Sequence, residues 1–240
     1  MNGSRLVGVG VGPGDPDLLT VKALRVLREA DVVFVPVADT GELGRAERTV
    51  RAHLDRPVER LTFALNDVAP REAAWDAAGA AVAGALRESG TVAFATIGDP
   101  AVYSTFSYLA RTVRELVPDV EVTTVPGITA MQDLAARSGT VLVEGSESLL
   151  LLPLTAGIEE FRDALGRHDA IVAYKGGRVL ADVLTAIEAA GRLDGAVYGA
   201  ALGLIDEDIR PARDLLGAGP APYLSTVIVP PARTSRGGRL

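Results

Sequence analysis

Near its start the chain runs Val7-Gly8-Val9-Gly10-Val11 and then breaks into Gly12-Pro13-Gly14-Asp15-Pro16. The apolar run predicts a β-strand, and the Gly/Pro turn predicts where that strand stops. Alternate glycines let the backbone lie close to a ligand, while Pro13 and Pro16 stiffen the turn. A loop at the carboxyl end of a first strand is where open α/β sheets bind small molecules. A tight strand-to-helix turn without a ligand accounts for the same residues.

The pattern then repeats along the chain. With the first strand at Arg5–Val11, further strands are predicted at Val32–Val35, Thr91–Ala95 and Val120–Val125. Helices fill the gaps: Val21, Leu24 and Leu27 are spaced as a buried stripe, and Trp75, Ala78, Val82 and Leu86 form another within Arg71–Glu88. This half reads as βαβ units with mostly parallel pairing. After Pro126-Gly127 a second series begins, with a helix over Thr129–Ser138 and strands at Leu149–Leu152, Ala170–Tyr174, Ala196–Ala200 and Leu224–Val229. Helices near Glu159–Leu165 and Val179–Ala190 separate them. The expected architecture is two α/β domains, residues 1–124 and 125–240, the second ending in a flexible tail from about residue 231. Thr40–Ala46 predicts a mobile loop, and the acidic Asp206–Asp208 segment reads as a solvated turn.

The familiar glycine motifs fail letter by letter. A dinucleotide fingerprint needs G-x-G-x-x-G, but reading from Gly8, Gly10 or Gly12 puts Pro13, Asp15 or Asp17 at the third glycine. No Gly-Lys-Ser/Thr follows, so a P-loop is excluded as well. Cysteine is absent, which removes disulfides, thiolate nucleophiles and Cys-ligated zinc. The two imidazoles, His53 and His168, stand apart from any metal-ligand spacing and both look like surface residues, so no metal is expected. A net charge of −7 argues against a general nucleic-acid surface, yet leaves room for a polyanionic small molecule met by a few arginines. No apolar run reaches the length of a membrane span and no basic-then-apolar leader precedes Arg5. The expected compartment is the cytoplasm.

Two later loops resemble the first. Thr96-Ile97-Gly98-Asp99-Pro100 follows an apolar strand and precedes a helical segment, Ala101–Leu116. A local reading is available: Asp99 caps the helix, Pro100 takes its first position and Gly98 makes the turn. Val125-Pro126-Gly127-Ile128-Thr129-Ala130 is again a strand end running into a helix, with Thr129 as a possible cap. Three Gly/Pro-punctuated strand ends on one sheet edge would line a single cleft.

The segments GVGPGDPDLLTVKA (10–23), GDPAVYSTFSYL (98–109), VPGITAMQDLAA (125–136) and PYLSTVIV (222–229) resemble the tetrapyrrole methylase family. The run Tyr103-Ser104-Thr105-Phe106-Ser107-Tyr108 is most similar to the branch that methylates C20 of precorrin-2. The resemblance implies two α/β domains with a ligand cleft between them, a homodimer, S-adenosylmethionine as methyl donor and no metal. By position it assigns donor contacts to Pro13, Gly98, Asp99, Val102, Tyr103, Thr129 and Ala130, and further ones to Lys175, Leu202, Ser225 and Thr226. Many relatives carry methionine where Lys175 stands. A carboxylate would serve as general base, Asp99 or else Asp15. Arg45, Arg48, Arg137 and Arg178 would meet the substrate's carboxylates, although an exposed helix arginine is the simpler explanation of each. A methylase acting at another tetrapyrrole carbon, on the corrin pathway or on uroporphyrinogen, and a non-catalytic ligand-binding module are the competing readings.

Overall fold

The computed structural model describes residues 3–38, 43–63, 71–155 and 157–233. The chain divides into two compact units, Met1–Thr129 and Ala130–Leu240. The division falls after Thr129 rather than at 124/125, because the last strand of the first sheet runs through Val125 and Gly127 is packed against Gly10 and Gly98.

In the first unit β1 (Arg5–Gly10), β2 (Val32–Val37), β3 (Glu59–Thr62), β4 (Thr91–Thr96) and β5 (Glu121–Val125) form one sheet in the order β3-β2-β4-β1-β5. Every pairing is parallel. Alternation along the strands sends Val7, Val9, Val33 and Val35 to one face, against α1 (Val21–Glu29) and α2 (Arg45–Arg51). Leu6, Phe34, Val92 and Phe94 go to the other, against α3 (Arg71–Glu88) and α4 (Phe106–Leu116). A three-layer α/β/α unit results.

The strand order explains why this sheet has a ligand edge. The chain leaves β1 past β4 to reach β2, and leaves β4 past β1 to reach β5, so the neighbours β1 and β4 connect in opposite directions. Loops diverge at such a switch point and open a crevice beyond the carboxyl ends of the two strands. Gly10 pairs with Thr96, and Val9 with both Ala95 and Val125, which brings all three Gly/Pro loops out at one level.

The second unit contains α5 (Ala130–Ser138), β6 (Leu149–Pro153), α6 (Glu159–Leu165), β7 (Ala170–Tyr174), α7 (Leu180–Ala189), β8 (Val197–Ala200), β9 (Asp208–Pro211) and β10 (Ser225–Val229). Its sheet order is β6-β7-β10-β8-β9, with β6 and β7 parallel and the remaining pairs antiparallel. Phe161, Val183, Leu184 and Ile187 bury one face of the sheet, while Leu134 of α5 covers the other with Val172 and Ile228. Among the described residues no helix is long and apolar enough to cross a membrane.

Several elements differ from the sequence reading. The four-residue strands β3 and β9 carry charge and little apolar pattern, as edge strands do, and show no run to detect. Helix α2 begins at Arg45 and so replaces the end of the expected mobile loop; Thr40, Gly41 and Glu42 lie outside the described residues. Helix α4 starts at Phe106, not Ala101, because Tyr103 takes a left-handed backbone (φ 49°) that no helix tolerates. Val21 is 86% exposed as the first residue of α1, and the buried stripe there is Ala23, Leu27 and Ala30. In the expected tail, the Arg233 guanidinium holds the carboxylate of half-buried Glu147 at 2.6 and 2.9 Å, while 234–240 lie outside the described residues.

Candidate functional site

The three loops of the first unit are bonded to one another through their backbones. Gly12 and Gly98 form a two-residue β-bridge in which Gly98 N–H donates to Gly12 O at 2.7 Å and Gly12 N–H to Gly98 O at 3.4 Å. Gly127 lies so close that a Cβ there would sit 2.2 Å from Gly98 O and 2.8 Å from the Gly10 backbone. Gly10 is tight in the same way, its imagined Cβ 2.6 Å from Gly127 N and from Gly98 O. Only glycine fits at either position, since backbone cannot swing aside as a side chain does. Gly8, one pleat earlier, makes room for the Phe106 ring.

Asp99 closes the arrangement. One carboxylate oxygen accepts from Ala101 N–H at 2.7 Å, a turn contact within its own loop, and the other accepts from Gly127 N–H at 2.9 Å in the third loop. Both oxygens of the first-choice base are thus committed to backbone donors. The capping reading of Asp99 is met only locally, for the helix itself starts seven residues later and Ser104 Oγ accepts from Phe106 N–H at 3.1 Å. Ser104 also bonds Thr96 Oγ1 at 2.9 Å, which fixes the left-handed turn at Tyr103 to the end of β4. Val102 N–H donates to Asp99 O at 3.2 Å, and Tyr103 is 42% exposed. Thr129 is buried at the end of the third loop.

The first loop is supported from beneath by α2. Pro13 and Gly14 are buried, and the fully buried Thr49 donates its hydroxyl to Gly14 O at 3.3 Å. His53 Nε2 lies 2.9 Å from Pro16 O, so this half-buried imidazole is a loop strut rather than a surface residue. Asp15 accepts from Asp17 N–H at 2.9 Å through one oxygen, capping a short turn over Pro16–Leu18. Within α2, buried Glu47 takes hydrogen bonds from Arg51 at 2.8 Å and Arg60 at 2.9 and 3.0 Å. Burial alone would raise the Glu47 pKa, but the Arg60 and Arg51 bonds prevail and hold it below the ordinary carboxylate value. Arg45 opens this helix half-buried, and Arg48 lies exposed upon it.

The remaining candidates gather on one sheet edge of the second unit. Thr226 pairs with Tyr174 on one side and Gly199 on the other, and Ser225 pairs with Ala200. The start of β10 therefore lies between the carboxyl ends of β7 and β8, where the turns at Lys175 and Leu202 begin. Ser225, Thr226 and Leu202 are buried. Lys175 and Ala201 have left-handed backbones (φ 58° and 51°), a strained state for residues with a Cβ. Burial pushes the Lys175 ammonium below its ordinary value, and its Nζ lies 5.9 Å from the centre of the Tyr223 ring. Tyr174 Oη accepts from Met131 N–H at 3.1 Å, joining the end of β7 to the first turn of α5 beside Ala130. Arg178 is exposed just beyond, whereas Arg137 donates to Glu207 at 2.6 Å.

A model of the tetrapyrrole (corrin/porphyrin) methylases matches residues 5–215. The chain belongs to that family. This tetrapyrrole methylase is 39% identical over 173 residues to a probable cobalt-precorrin-2 C(20)-methyltransferase of Methanocaldococcus jannaschii, covering 71% of this chain and 72% of that one. It is 35% identical over 237 residues to the precorrin-2 C(20)-methyltransferase of a Sinorhizobium species, covering 94% and 95%. Among solved structures, the cobalt precorrin-4 methyltransferase CbiF superposes with a TM-score of 0.68 at 25% identity over 94% of each chain. The uroporphyrin-III C-methyl transferase of Thermus thermophilus, solved with S-adenosylhomocysteine, superposes at 0.63 with 21% identity over 94% of this chain and 97% of that one, a likeness of fold.

The supporting roles of Thr49, His53, Ser104, Tyr174 and Glu207 are not read from the sequence, where His53 stands as a surface imidazole and Glu207 within a solvated turn. Thr49 lies in α2 and His53 in the turn just after it, and their spacing of four beside the first loop is the one signal they carry.

Proposed function

We propose that this tetrapyrrole methylase is an S-adenosylmethionine-dependent C-methyltransferase of corrin biosynthesis, converting precorrin-2 to precorrin-3A by methylation at C20. The observation that carries this reading is the near full-length identity to a relative bearing that activity's name. The Gly10–Gly98–Gly127 cluster supplies the local support: a strand-end backbone this tightly knit presents fixed N–H and C=O groups, and a Cβ on Gly98 would meet nothing within 4 Å. Such a cradle suits a ligand recognised through main-chain groups. The residues proposed to hold the donor are Pro13, Gly98, Asp99, Val102, Tyr103 and Thr129 from the first unit, with Ala130, Lys175, Leu202, Ser225 and Thr226 from the second.

The donor brings a methyl group already activated by positive sulfur. Carbon C20 attacks that methyl, the S–CH3 bond breaks as the C–C bond forms, and the C20 proton leaves to a base. What the chain must contribute is alignment, which accounts for about 7–11 kcal/mol in well-oriented reactions. Asp15 is proposed as the base, since both oxygens of Asp99 are occupied by Ala101 and Gly127 N–H groups. Arg45, Arg48 and Arg178 are proposed to meet the macrocycle's carboxylates, while Arg137 already faces Glu207. The working form is proposed to be a cytoplasmic homodimer, which sedimentation of the purified chain checks.

The test is incubation of the enzyme with precorrin-2, or its cobalt form, and methyl-labelled donor. Label at C20 of either product is expected. Label at another carbon, or transfer to uroporphyrinogen instead, points to a different methylase, and S-adenosylhomocysteine binding with no transfer to any of these points to a ligand-binding module.

A further inference from the structure

The acidic segment before β9 does more than solvate a turn. The connection from β8 to β9 turns back at Ala201 (φ 51°), Leu202 and Gly203 (φ 72°), closed by Leu204 N–H donating to Ala201 O at 2.9 Å. One Glu207 carboxylate oxygen accepts from Gly203 N–H at 2.7 Å, and the other accepts from Arg137 Nη2 at 2.6 Å. Arg137 sits on the last turn of α5, with a further ion-pair contact to buried Asp133 at 3.9 Å. Helix α5 is in turn seated against β8, where Leu134 lies so close to Gly199 that a Cβ there would be 2.7 Å from its Cδ1. A carboxylate that is only 22% exposed thus joins the helix beginning at Ala130 to the strained turn carrying Leu202.

We propose that Glu207, held by Arg137, is a positioning residue for donor binding: it fixes the left-handed Ala201–Gly203 turn at the spacing from α5 that the donor requires. The proposal rests on the donor contacts assigned above to Ala130 and Leu202. Two features favour it over a plain surface ion pair. Exposed pairs contribute little, but here one oxygen of the carboxylate is spent on a backbone N–H of the turn itself, a charge-assisted bond. The turn also begins on an alanine in a left-handed conformation that residues with a Cβ rarely adopt, which persists only where neighbours hold it. Glu207 touches no reacting atom in this scheme, so its loss weakens donor binding and leaves the chemical step intact.

The experiment measures S-adenosylhomocysteine Kd by calorimetry, and donor KM, precorrin-2 KM and kcat, for wild type, Glu207→Ala, Glu207→Gln and Arg137→Met. Expected for Glu207→Ala is a donor Kd and KM raised about tenfold, or about 1.4 kcal/mol, with kcat at saturation and precorrin-2 KM within twofold of wild type. Glu207→Gln keeps an acceptor for Gly203 N–H and is expected to recover most of the affinity, with Arg137→Met in between. Circular dichroism checks that the variants are folded. A Glu207→Ala that does not fold leaves the decision to Glu207→Gln and Arg137→Met: donor affinity unchanged in both overturns the proposal. Wild-type donor affinity in Glu207→Ala, or an equal fall in kcat, overturns it while leaving the methyltransferase reading in place. A wild-type protein that binds no S-adenosylhomocysteine overturns both.

Discussion

Replacing Asp99 by alanine separates a structural clamp from a catalytic base. The carboxylate accepts two backbone N–H groups, Ala101 at 2.7 Å and Gly127 at 2.9 Å, and the second bond joins two different loops. The Ala101 bond is exposed and resembles a helix-cap contact, for which removal costs about 1 kcal/mol. The Gly127 bond is part-buried with an ionised acceptor and falls in the range of about 1.5–3 kcal/mol. Together they predict a loss of about 2.5–4 kcal/mol, which for a chain of this size lowers Tm by roughly 5–16 °C. Asp99→Asn keeps one carbonyl acceptor and turns an NH2 toward the other donor, so about half of that loss is expected. Thermal melting by far-UV circular dichroism, run beside kcat at saturating donor and precorrin-2, reads both effects. A clamp gives a large Tm shift, a raised donor Kd and kcat reduced less than tenfold. If Asp99→Ala melts within about 1 °C of wild type while kcat falls by 10² or more, the range for removing a general base, the clamp is refuted and Asp99, not Asp15, takes the proton.

Gly127→Ala should destabilise the first unit by about 1–3 kcal/mol or more in denaturant unfolding, because its Cβ would meet Gly98 O at 2.2 Å; Gly219→Ala, whose Cβ meets nothing within 4 Å, serves as the neutral control. Gly84→Ala, inside α3 with open space at the Cβ, should stabilise by about 0.5–1 kcal/mol, and an unchanged midpoint would count against the helical packing described. Glu47 has a lowered folded-state pKa, so its stabilising effect is fully present above the ordinary value of 4.5 and is lost as pH falls through the lowered one. Glu47→Gln should therefore flatten the acid limb of the stability curve of the first unit, measured as the denaturant midpoint at stepped pH.

The strands that the sequence announces are those buried on both faces. β1, β4 and β10 are almost wholly buried and apolar, and they start where the apolar runs start. β3 and β9 lie at sheet edges, where one or two apolar residues suffice, and a run of four mixed residues such as Glu59-Arg60-Leu61-Thr62 has no readable period. Glycines were legible as a site but not as a mechanism. Gly12, Gly98 and Gly127 are visible in any reading, yet that they touch one another depends on the level ends of three parallel strands, a fact of register. The supporting polar groups were hidden for a related reason. Glu207 and Arg137 are 70 residues apart, and Asp99 and Gly127 are 28 apart, so the pairing of each donor with its acceptor is set by the fold alone.

The same limit applies most sharply to the backbone. Among the described residues the left-handed non-glycine positions are Tyr103, Lys175 and Ala201, none of a type that favours that region. Each lies beyond a strand end, at or beside a residue proposed to hold the donor: Tyr103 in the loop after β4, Lys175 directly after β7, and Ala201 directly after β8 and next to Leu202. Local propensity opposes all three at about 1–3 kcal/mol each. Each also has a polar or aromatic contact beside it, Ser104 with Thr96, Lys175 with Tyr223, and Gly203 with Glu207. Glycine at these positions would remove the steric cost, but it would also let the turn sample both hands of φ and raise the entropy lost when a ligand fixes it. A Cβ at a left-handed position keeps the turn stiff once its neighbours have imposed it, so backbone groups stand ready at the strand ends before any ligand arrives. That preorganisation is what a methyl transfer driven by alignment requires of its scaffold.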